Sequence, residues 1–463
     1  MKKSFKEKTL ASLFKPQNKN APLENAGSSV NPGSPENNFL PEPVVKRFTH
    51  KAEHFFKDLG PGLITGAADD DPSGISTYSV TGAAFGYAQL WTVIFFFPLM
   101  AAVQLMCARL GLVSGRGLAG AIRVRYSRSV LWFACALLLI ANTINIGADL
   151  GGMAEAMQMM TGIRAFLWLP LFAGLIVVLL IFFNYHRIAR IFKWLTLVLF
   201  AYVIAAFFAH PDWSAVFKHT FIPHLEFSRQ YLATFLAVLG TTISPYLFFW
   251  QAAQEVEEER AHGKKTLKLR RGATLEELRE ARIDVLSGMG FAGLVMYFII
   301  LTTGATLYAN GERDIETARQ AAEALRPLAG DAAYLLFTLG LVGTGMLGVP
   351  VLAGSAAYAI AEAMHWHGSL DDKPKVAKKF YAVLTVAVLF GLALNYFEVN
   401  AVKMLFFAAV INGMLAPPLV ILVTMLTSDK KIMGDKLNPP ILKWLGWATA
   451  VIMTTAAIAM LVL

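Results

Sequence analysis

The sequence is poor in charged residues and cysteine, and its long apolar segments contain no histidine. Asp, Glu, Lys and Arg make up only 16% of the 463 residues, whereas roughly one quarter of the residues of soluble domains are charged. The two cysteines, Cys107 and Cys135, form no disulfide or metal-ligand pattern. All nine histidines, from His50 to His367, lie outside the long apolar segments, so none pairs there with a nucleophile or forms a metal motif. These absences argue against a soluble protein and against an intramembrane enzyme.

Long apolar segments dominate what is present. Apolar residues make up 56% of the chain, and many of the segments reach the roughly 18 residues that cross a bilayer as a helix. The sequence therefore predicts an all-α polytopic membrane protein with eleven transmembrane spans. Their predicted limits are 59–82, 88–108, 130–160, 166–184, 189–209, 230–254, 283–309, 330–362, 379–396, 401–426 and 440–463.

The basic residues alternate between the two sides of this arrangement. Of the 41 Lys and Arg residues, the odd-numbered connectors contain only Arg164, Lys218, Arg229, Arg313, Arg319, Arg326 and Lys403. Because basic connectors stay in the cytoplasm, we predict a plasma-membrane protein with a cytoplasmic N-terminus and an external C-terminus. The net charge of +9 is then explained by anionic lipid headgroups, so the lipid bilayer is an expected partner and nucleic acid is not.

Two segments outside the spans differ in composition from the rest. Residues 1–57 contain a Pro, Asn, Ser and Gly stretch with few apolar residues, so we predict a disordered cytoplasmic tail before a transmembrane domain over 58–463. The connector 255–282 is highly charged, and Thr274 with Glu277 forms a capping-box pattern. We predict a solvated cytoplasmic helix there.

Span 1 contains three consecutive carboxylates directly before a proline. Asp69, Asp70, Asp71 and Pro72 lie roughly 15–20 Å into the span, close to the middle of the bilayer. A carboxylate at that depth is costly unless it is paired, solvated or protonated, and therefore indicates a functional site. In the alternative interpretation the span starts later, and the triplet caps an interfacial helix with Pro72 as its first residue.

Span 6 is interrupted in a comparable way. Pro245 follows Thr241, Thr242 and Ser244 near mid-span, and five spans separate the two breaks. That spacing is typical of a 5 + 5 inverted repeat with an eleventh span appended, in which unwound backbone supplies the binding site. Ser and Thr beside a proline also often bond only to local backbone. We prefer that interpretation for Thr242 and a functional role for Ser244.

Further polar residues lie within spans 3 and 10. Asn142, Asn145 and Asp149 share one face of span 3, and they either line an ion pathway or hold helices together through hydrogen bonds. Asn412 in span 10 is a candidate ligand or water-positioning residue. The glycines of span 8, such as Gly348, are expected to permit close helix packing.

These motifs resemble the NRAMP family of divalent-metal transporters. The resemblance rests on GPG followed by an Asp-Pro break, on the downstream FGYAQLW, and on the Pro-centred break of span 6. It implies a LeuT-type fold with eleven or twelve spans, broken at helices 1 and 6. The family's metal-binding Asp falls on Asp71 and its backbone-carbonyl ligand on Thr241. Its Asn, Met and following His positions are occupied here by Gly74, Ser244 and Tyr246.

The substitutions at these positions are similar to those of the NRAMP-related magnesium transporter branch. Replacing a soft thioether by Ser244 and an amide by Gly74 favours hard ions, so the expected cargo is Mg²⁺ and also Mn²⁺, with no resident cofactor. The acidic residue of the family's proton route corresponds to Gly152, which weakens proton coupling, although Asp69, Asp70 and Asp149 could titrate. The alternatives are a proton-coupled Mn²⁺ or Fe²⁺ carrier and a Na⁺-coupled amino-acid carrier, whose carboxylate substrate the Asp triplet would repel.

Overall fold

The computed structural model describes residues 61–183, 197–397 and 400–462, and all regular structure in these ranges is helical. Nine helices within them are long and apolar enough to cross a membrane. The two halves of span 6 count as one of the nine, Arg229–Ala261, whereas span 1 is missing because its three consecutive Asp residues make it too polar, and span 5 because it is described only from Leu197 onward. The predicted tail, residues 1–57, lies outside the described residues.

The observed spans agree with the predicted ones to within several residues over most of the chain. Connector helices occupy Leu118–Arg125 and Trp213–Phe221, and shorter ones lie in the longer loops. The spans run over Pro61–Asp69 (1a), Pro72–Phe85 (1b), Trp91–Ser114 (2), Arg128–Thr161 (3), Ala165–Phe182 (4), Phe200–Phe208 (5), Arg229–Thr242 (6a), Pro245–Ala261 (6b), Leu275–Thr303 with the π-helical turn Gly304–Tyr308 (7), Ala333–Ala363 (8), Lys378–Leu394 (9), Ala401–Thr427 (10) and Pro440–Val462 (11).

Both predicted helix breaks are present. Asp71 has extended backbone angles (φ −67°, ψ 173°) and is the N-cap of span 1b, with Pro72 as the first helical residue. Ser244 has φ −80° and ψ 136° and precedes Pro245 at the start of span 6b. A proline has no backbone N–H to continue the preceding helix but is favoured in the first turn of a new one, so each break ends one half-helix and starts the next.

Close backbone contacts hold the half-helices against their neighbours. A Cβ atom added to Gly66 of span 1a would lie 2.2 Å from the carbonyl oxygen of Gly288 in span 7. A Cβ atom added to Gly240 of span 6a would lie 2.3 Å from the backbone nitrogen of Gly413 in span 10. Only glycine permits such approaches, so the residues before both breaks are fixed by packing against continuous spans.

The prediction of a solvated helix over 255–282 is wrong for its first part. Span 6b continues to Ala261, and Glu255, Glu257 and Glu259 are buried, each with a hydrogen-bond partner from a nearby side chain. Glu257, for example, accepts a 2.5 Å hydrogen bond from the hydroxyl of Ser369. The capping box of Thr274 and Glu277 is confirmed at the start of the helix beginning at Leu275.

Candidate functional site

Asp71 occupies the break in span 1 and is almost fully buried, with 1% of its surface exposed. Its Oδ1 atom accepts hydrogen bonds from the Ser73 hydroxyl at 2.7 Å and from the Gly74 backbone N–H at 2.8 Å. From the part of the chain that the structure describes, its Oδ2 atom receives only a longer contact, 3.3 Å, from the Tyr246 hydroxyl. One carboxylate oxygen is therefore committed to capping span 1b, while the other retains lone pairs for a ligand.

The two breaks lie against each other. The Tyr246 hydroxyl of span 6b donates a 2.9 Å hydrogen bond to the carbonyl oxygen of Ala68 in span 1a. A Cβ atom added to Gly74 would lie 3.1 Å from the carbonyl oxygen of Asp69 and 3.2 Å from Oγ1 of Thr241. The sequence-predicted site residues of spans 1 and 6 are thus brought together by the fold.

Ser244 and Thr242 both bond to the backbone of span 6a. The Ser244 hydroxyl lies 2.7 Å from the carbonyl oxygen of Gly240 and 2.8 Å from that of Thr241, the carbonyls that the break leaves without helical partners. The Thr242 hydroxyl donates to the Val238 carbonyl at 2.8 Å, as we expected for that residue. Ser244 therefore covers part of the Thr241 carbonyl, and its hydroxyl oxygen keeps lone pairs that can accept from water or bind a cation.

Asp69 and Asp70 add two further carboxylates at the end of span 1a. Both are fully buried, and none of their carboxylate oxygens has a hydrogen-bond partner within the described residues. The C-terminal end of a helix is also the negative end of its dipole, which favours cations and disfavours anions. Buried carboxylates in this position need a compensating cation or protons.

A fourth carboxylate approaches the site from span 3. Asp149 is fully buried, and in the part of the chain that the structure describes its carboxylate accepts no hydrogen bond. A Cβ atom added to Gly348 of span 8 would lie 3.0 Å from Cβ of Asp71 and 3.7 Å from Oδ2 of Asp149. Gly348 therefore packs against both Asp71 and Asp149, a role that the glycine pattern of span 8 did not reveal.

The remaining predicted polar residues divide into two groups. The Asn142 side-chain amide donates to the Leu352 carbonyl at 2.7 Å and to the Ser355 hydroxyl at 2.8 Å, both in span 8. For Asn142 this agrees with the second of the two interpretations, in which the side chain holds helices together through hydrogen bonds. Asn145 and Asn412 are buried, and neither side-chain amide has a partner among the described residues, so they keep polar atoms for water or an ion.

A buried polar chain that the sequence did not reveal links spans 1a and 6b. The Thr65 hydroxyl lies 2.6 Å from Oε1 of Gln251, and Nε2 of Gln251 donates to Glu255 at 2.8 Å. Thr65 precedes Asp71 by six residues, or about 9 Å of helix. These hydrogen bonds thus connect the two half-helices about two helical turns away from Asp71.

The donors identified above at the two breaks are all oxygens. Within residues 61–183, 197–397 and 400–462, no three His, Cys, Asp or Glu side chains are placed to hold one metal ion together. A cation at the break would instead combine one Asp71 oxygen with carbonyl and hydroxyl oxygens such as those of Thr241 and Ser244, and with water. That donor set suits hard cations, which keep part of their hydration shell.

Comparisons with known proteins agree with this arrangement. A family model described as "Natural resistance-associated macrophage protein-like" (Nramp) matches residues 62–463. The "Divalent metal cation transporter MntH" of Listeria monocytogenes serotype 4a (strain HCC23) is 28% identical over 478 residues, covering 100% of this chain and 98% of the relative. The protein of that name from Listeria welshimeri is 28% identical over 468 residues, covering 97% and 96%.

Two solved structures share the architecture. The manganese transporter of Eremococcus coleocola, in complex with an aromatic bis-isothiourea substituted compound, matches with a TM-score of 0.72 at 20% identity, covering 90% of this chain and 87% of that one. Mhp1, a nucleobase-cation-symport-1 family transporter, in a closed conformation with bromovinylhydantoin bound, matches with a TM-score of 0.55 at 16% identity, covering 87% and 91%. These likenesses confirm the all-α, LeuT-type fold with broken helices 1 and 6.

Proposed function

The chain belongs to the Nramp family, and on this premise we propose that it carries divalent metal ions across the membrane, with Mg²⁺ and Mn²⁺ as substrates. The observation that carries the proposal is Asp71, a buried carboxylate at the break with one oxygen left for a ligand. Asp71 and the neighbouring Asp69 and Asp70 carry three negative charges when they are ionised, more than one divalent ion neutralises. Such a field favours a dication over a monovalent ion and repels an amino-acid carboxylate.

The proposed preference for Mg²⁺ rests on the chemistry of the four residues expected to bind metal. Asp71, Gly74, Thr241 and Ser244 contribute no sulfur and no side-chain nitrogen. Oxygen donors suit Mg²⁺ and Mn²⁺, whereas thioether ligands select softer transition metals. The hydroxyl of Ser244 is also small enough to leave room for metal-bound water, which Mg²⁺ sheds reluctantly.

We further propose that transport is driven by the membrane potential without protons. The six described histidines lie outside the spans. A Cβ atom added to Gly152, which replaces the family's acidic residue, would lie 2.8 Å from the Leu405 side chain, so this face of span 3 turns apolar after Asp149. Two charges moving inward gain about 4.6 kcal/mol per 100 mV, enough to concentrate the ion.

A proton-coupled Mn²⁺ carrier is the second candidate. It is favoured by one observation: Asp149 has no hydrogen-bond partner among the described residues and packs against the same Gly348 as Asp71. A carboxylate in that position can exchange a proton when a dication arrives beside it. The two candidates differ in what happens to protons during uptake, and not in the metal site.

Asp71→Asn tests the metal site. We expect this variant to lose Mg²⁺ and Mn²⁺ uptake in proteoliposomes while it remains folded and membrane-inserted, because the amide keeps the shape and removes the charge. Asp331→Asn, which changes an exposed carboxylate, is the matched control and should transport normally. Wild-type uptake by Asp71→Asn would remove this residue from the site.

A pH-sensitive dye trapped inside the proteoliposomes tests the coupling. With an inside-negative potential, Mg²⁺ uptake should accelerate and leave the internal pH unchanged. Acidification that appears only with metal and in proportion to it would overturn the uncoupled proposal in favour of the proton-coupled carrier, without affecting the assignment of Asp71.

The orientation and the tail complete the proposal. We propose that the N-terminus, with the segment 1–57, is cytoplasmic, and that residues 58–463 form the transporter domain in the plasma membrane. This rests on the distribution of Lys and Arg between the connectors. Labelling of single cysteines introduced into the connectors tests it. A membrane-impermeant reagent should reach the odd-numbered connectors in intact cells and the even-numbered connectors only after permeabilisation.

A further inference from the structure

An open apolar groove lies on the outer surface of the bundle, away from the metal site. It has a volume of about 740 Å³ and runs between span 3 and span 9, with the end of span 8 behind it. Its walls are aliphatic and aromatic side chains, among them Ile140, Val386 and Phe390, which are 52%, 47% and 62% exposed. Thr143 is the only one of its lining residues that has a hydroxyl group.

One end of the groove carries a positive charge. Lys379, in the first turn of span 9, lines this end, and its Nζ atom lies 4.8 Å from the centre of the Trp366 ring. Tryptophan and lysine are the residues that typically anchor a membrane protein at the headgroup level. The segment before Lys379 adds Lys373, Lys375 and Lys378 against Asp371 and Asp372, so with Lys379 its net charge is positive and favours anions.

The dimensions of the groove match one lipid leaflet. Lys379 and Phe390 are eleven residues apart on span 9, or about 16 Å along a helix. Half of a hydrocarbon core is about 15 Å thick. A molecule with its charged group at Lys379 would therefore reach Phe390 near the middle of the bilayer.

We propose that this groove is a binding site for an anionic phospholipid, with the phosphate against Lys379 and one acyl chain along the groove to Phe390. A peptide segment is a poor occupant, because its backbone N–H and C=O groups would find almost no partners on walls of this composition. A zwitterionic lipid would fill the same apolar walls but would gain less from Lys379. The site does not depend on the transported ion or on the orientation of the chain.

Native mass spectrometry of the full-length protein, purified in detergent with equal amounts of phosphatidylglycerol and phosphatidylcholine of identical chains, tests the proposal. The wild type should retain phosphatidylglycerol in preference. Lys379→Gln should lower that preference about fivefold, the contribution expected of one lysine near an anionic headgroup. Lys378→Gln is the matched control, since Lys378 has the same charge at the same helix start but does not line the groove.

A second variant tests the acyl-chain part of the site. Val386→Trp fills the groove midway and should reduce the retention of both lipids, while Lys379→Gln should affect phosphatidylglycerol alone. Equal retention of the two lipids by the wild type, or equal losses in Lys379→Gln and Lys378→Gln, would overturn the proposal. Preferential retention of a free fatty acid over phosphatidylglycerol would also overturn it.

Discussion

Replacing Gly348 by alanine tests whether the carboxylates of spans 1 and 3 share one site. The added methyl group would lie 3.0 Å from Cβ of Asp71 and 3.7 Å from Oδ2 of Asp149. Carbon atoms in contact are normally 3.5–4.0 Å apart, so Asp71 must move by roughly 0.5–1 Å, or span 8 must move away from it. Both shifts displace the proposed metal ligand without removing any charge or hydrogen-bonding group.

The expected effect is large because metal coordination tolerates little displacement. Ligand distances are held to about 0.2 Å, and changing residues that orient a ligand typically lowers metal affinity about 10–100-fold. We therefore expect Gly348→Ala to raise the KM for Mn²⁺ and Mg²⁺ by about 10–100-fold. Alanine forms helices more readily than glycine by about 1 kcal/mol, so the intrinsic stability of span 8 should not fall.

The assay is concentration-dependent Mn²⁺ uptake into proteoliposomes, normalised to the amount of inserted protein. Gly340→Ala is the matched control. It makes the same change in the same span, but among the described residues its methyl group would meet only the Leu199 side chain, at 3.2 Å, eight residues along the helix from Gly348. Equal KM values for Gly348→Ala and the wild type would refute this prediction, since the close contact of Gly348 with Asp71 and Asp149 would then not affect the metal site.

Two further predictions concern selectivity and the opening of the site. The double change Gly74→Asn with Ser244→Met should shift competitive uptake from Mg²⁺ towards Cd²⁺ and Fe²⁺, because it adds an amide and a soft sulfur; an unchanged Mg²⁺ to Cd²⁺ ratio in a variant that transports well would contradict it. Thr65→Val removes the contact with Gln251, worth about 1 kcal/mol. The conformation in which spans 1a and 6b have moved apart should then be about fivefold more populated. This would be measured as faster thiol labelling of Ala68→Cys, and unchanged labelling would contradict the prediction.

The helix breaks could be predicted from the sequence because their causes are local. Pro72 and Pro245 cannot donate a backbone hydrogen bond, and each directly follows a polar residue, Asp71 or Ser244, at the N-cap position of a new helix. The lengths of the apolar segments predicted the spans for a similar reason, since one helix satisfies its own backbone within the bilayer. Each of these inferences depends on neighbours within one segment.

The contacts between spans could not be predicted in this way. Asn142 and Asp149 share a face of span 3, yet Asn142 bonds to Leu352 and Ser355 of span 8 while Asp149 approaches Asp71. Which residue serves packing and which faces the site depends on the height at which span 8 crosses span 3. The position of Gly348 at that crossing follows from the packing of three spans, and a single sequence contains no signal for it.

The unpartnered carboxylates also constrain the half of the cycle in which the carrier returns without metal. Asp69, Asp70 and Asp149 accept no hydrogen bonds within the described residues, so an ion-free site of this shape is stable only if water or protons replace the cation. If protons bind inside and leave outside during the return, metal uptake raises the internal pH. If protons accompany the metal, uptake lowers it, and if water alone solvates the carboxylates, the internal pH stays constant. The sign of the internal pH change during uptake therefore reports how these carboxylates are neutralised in the returning carrier.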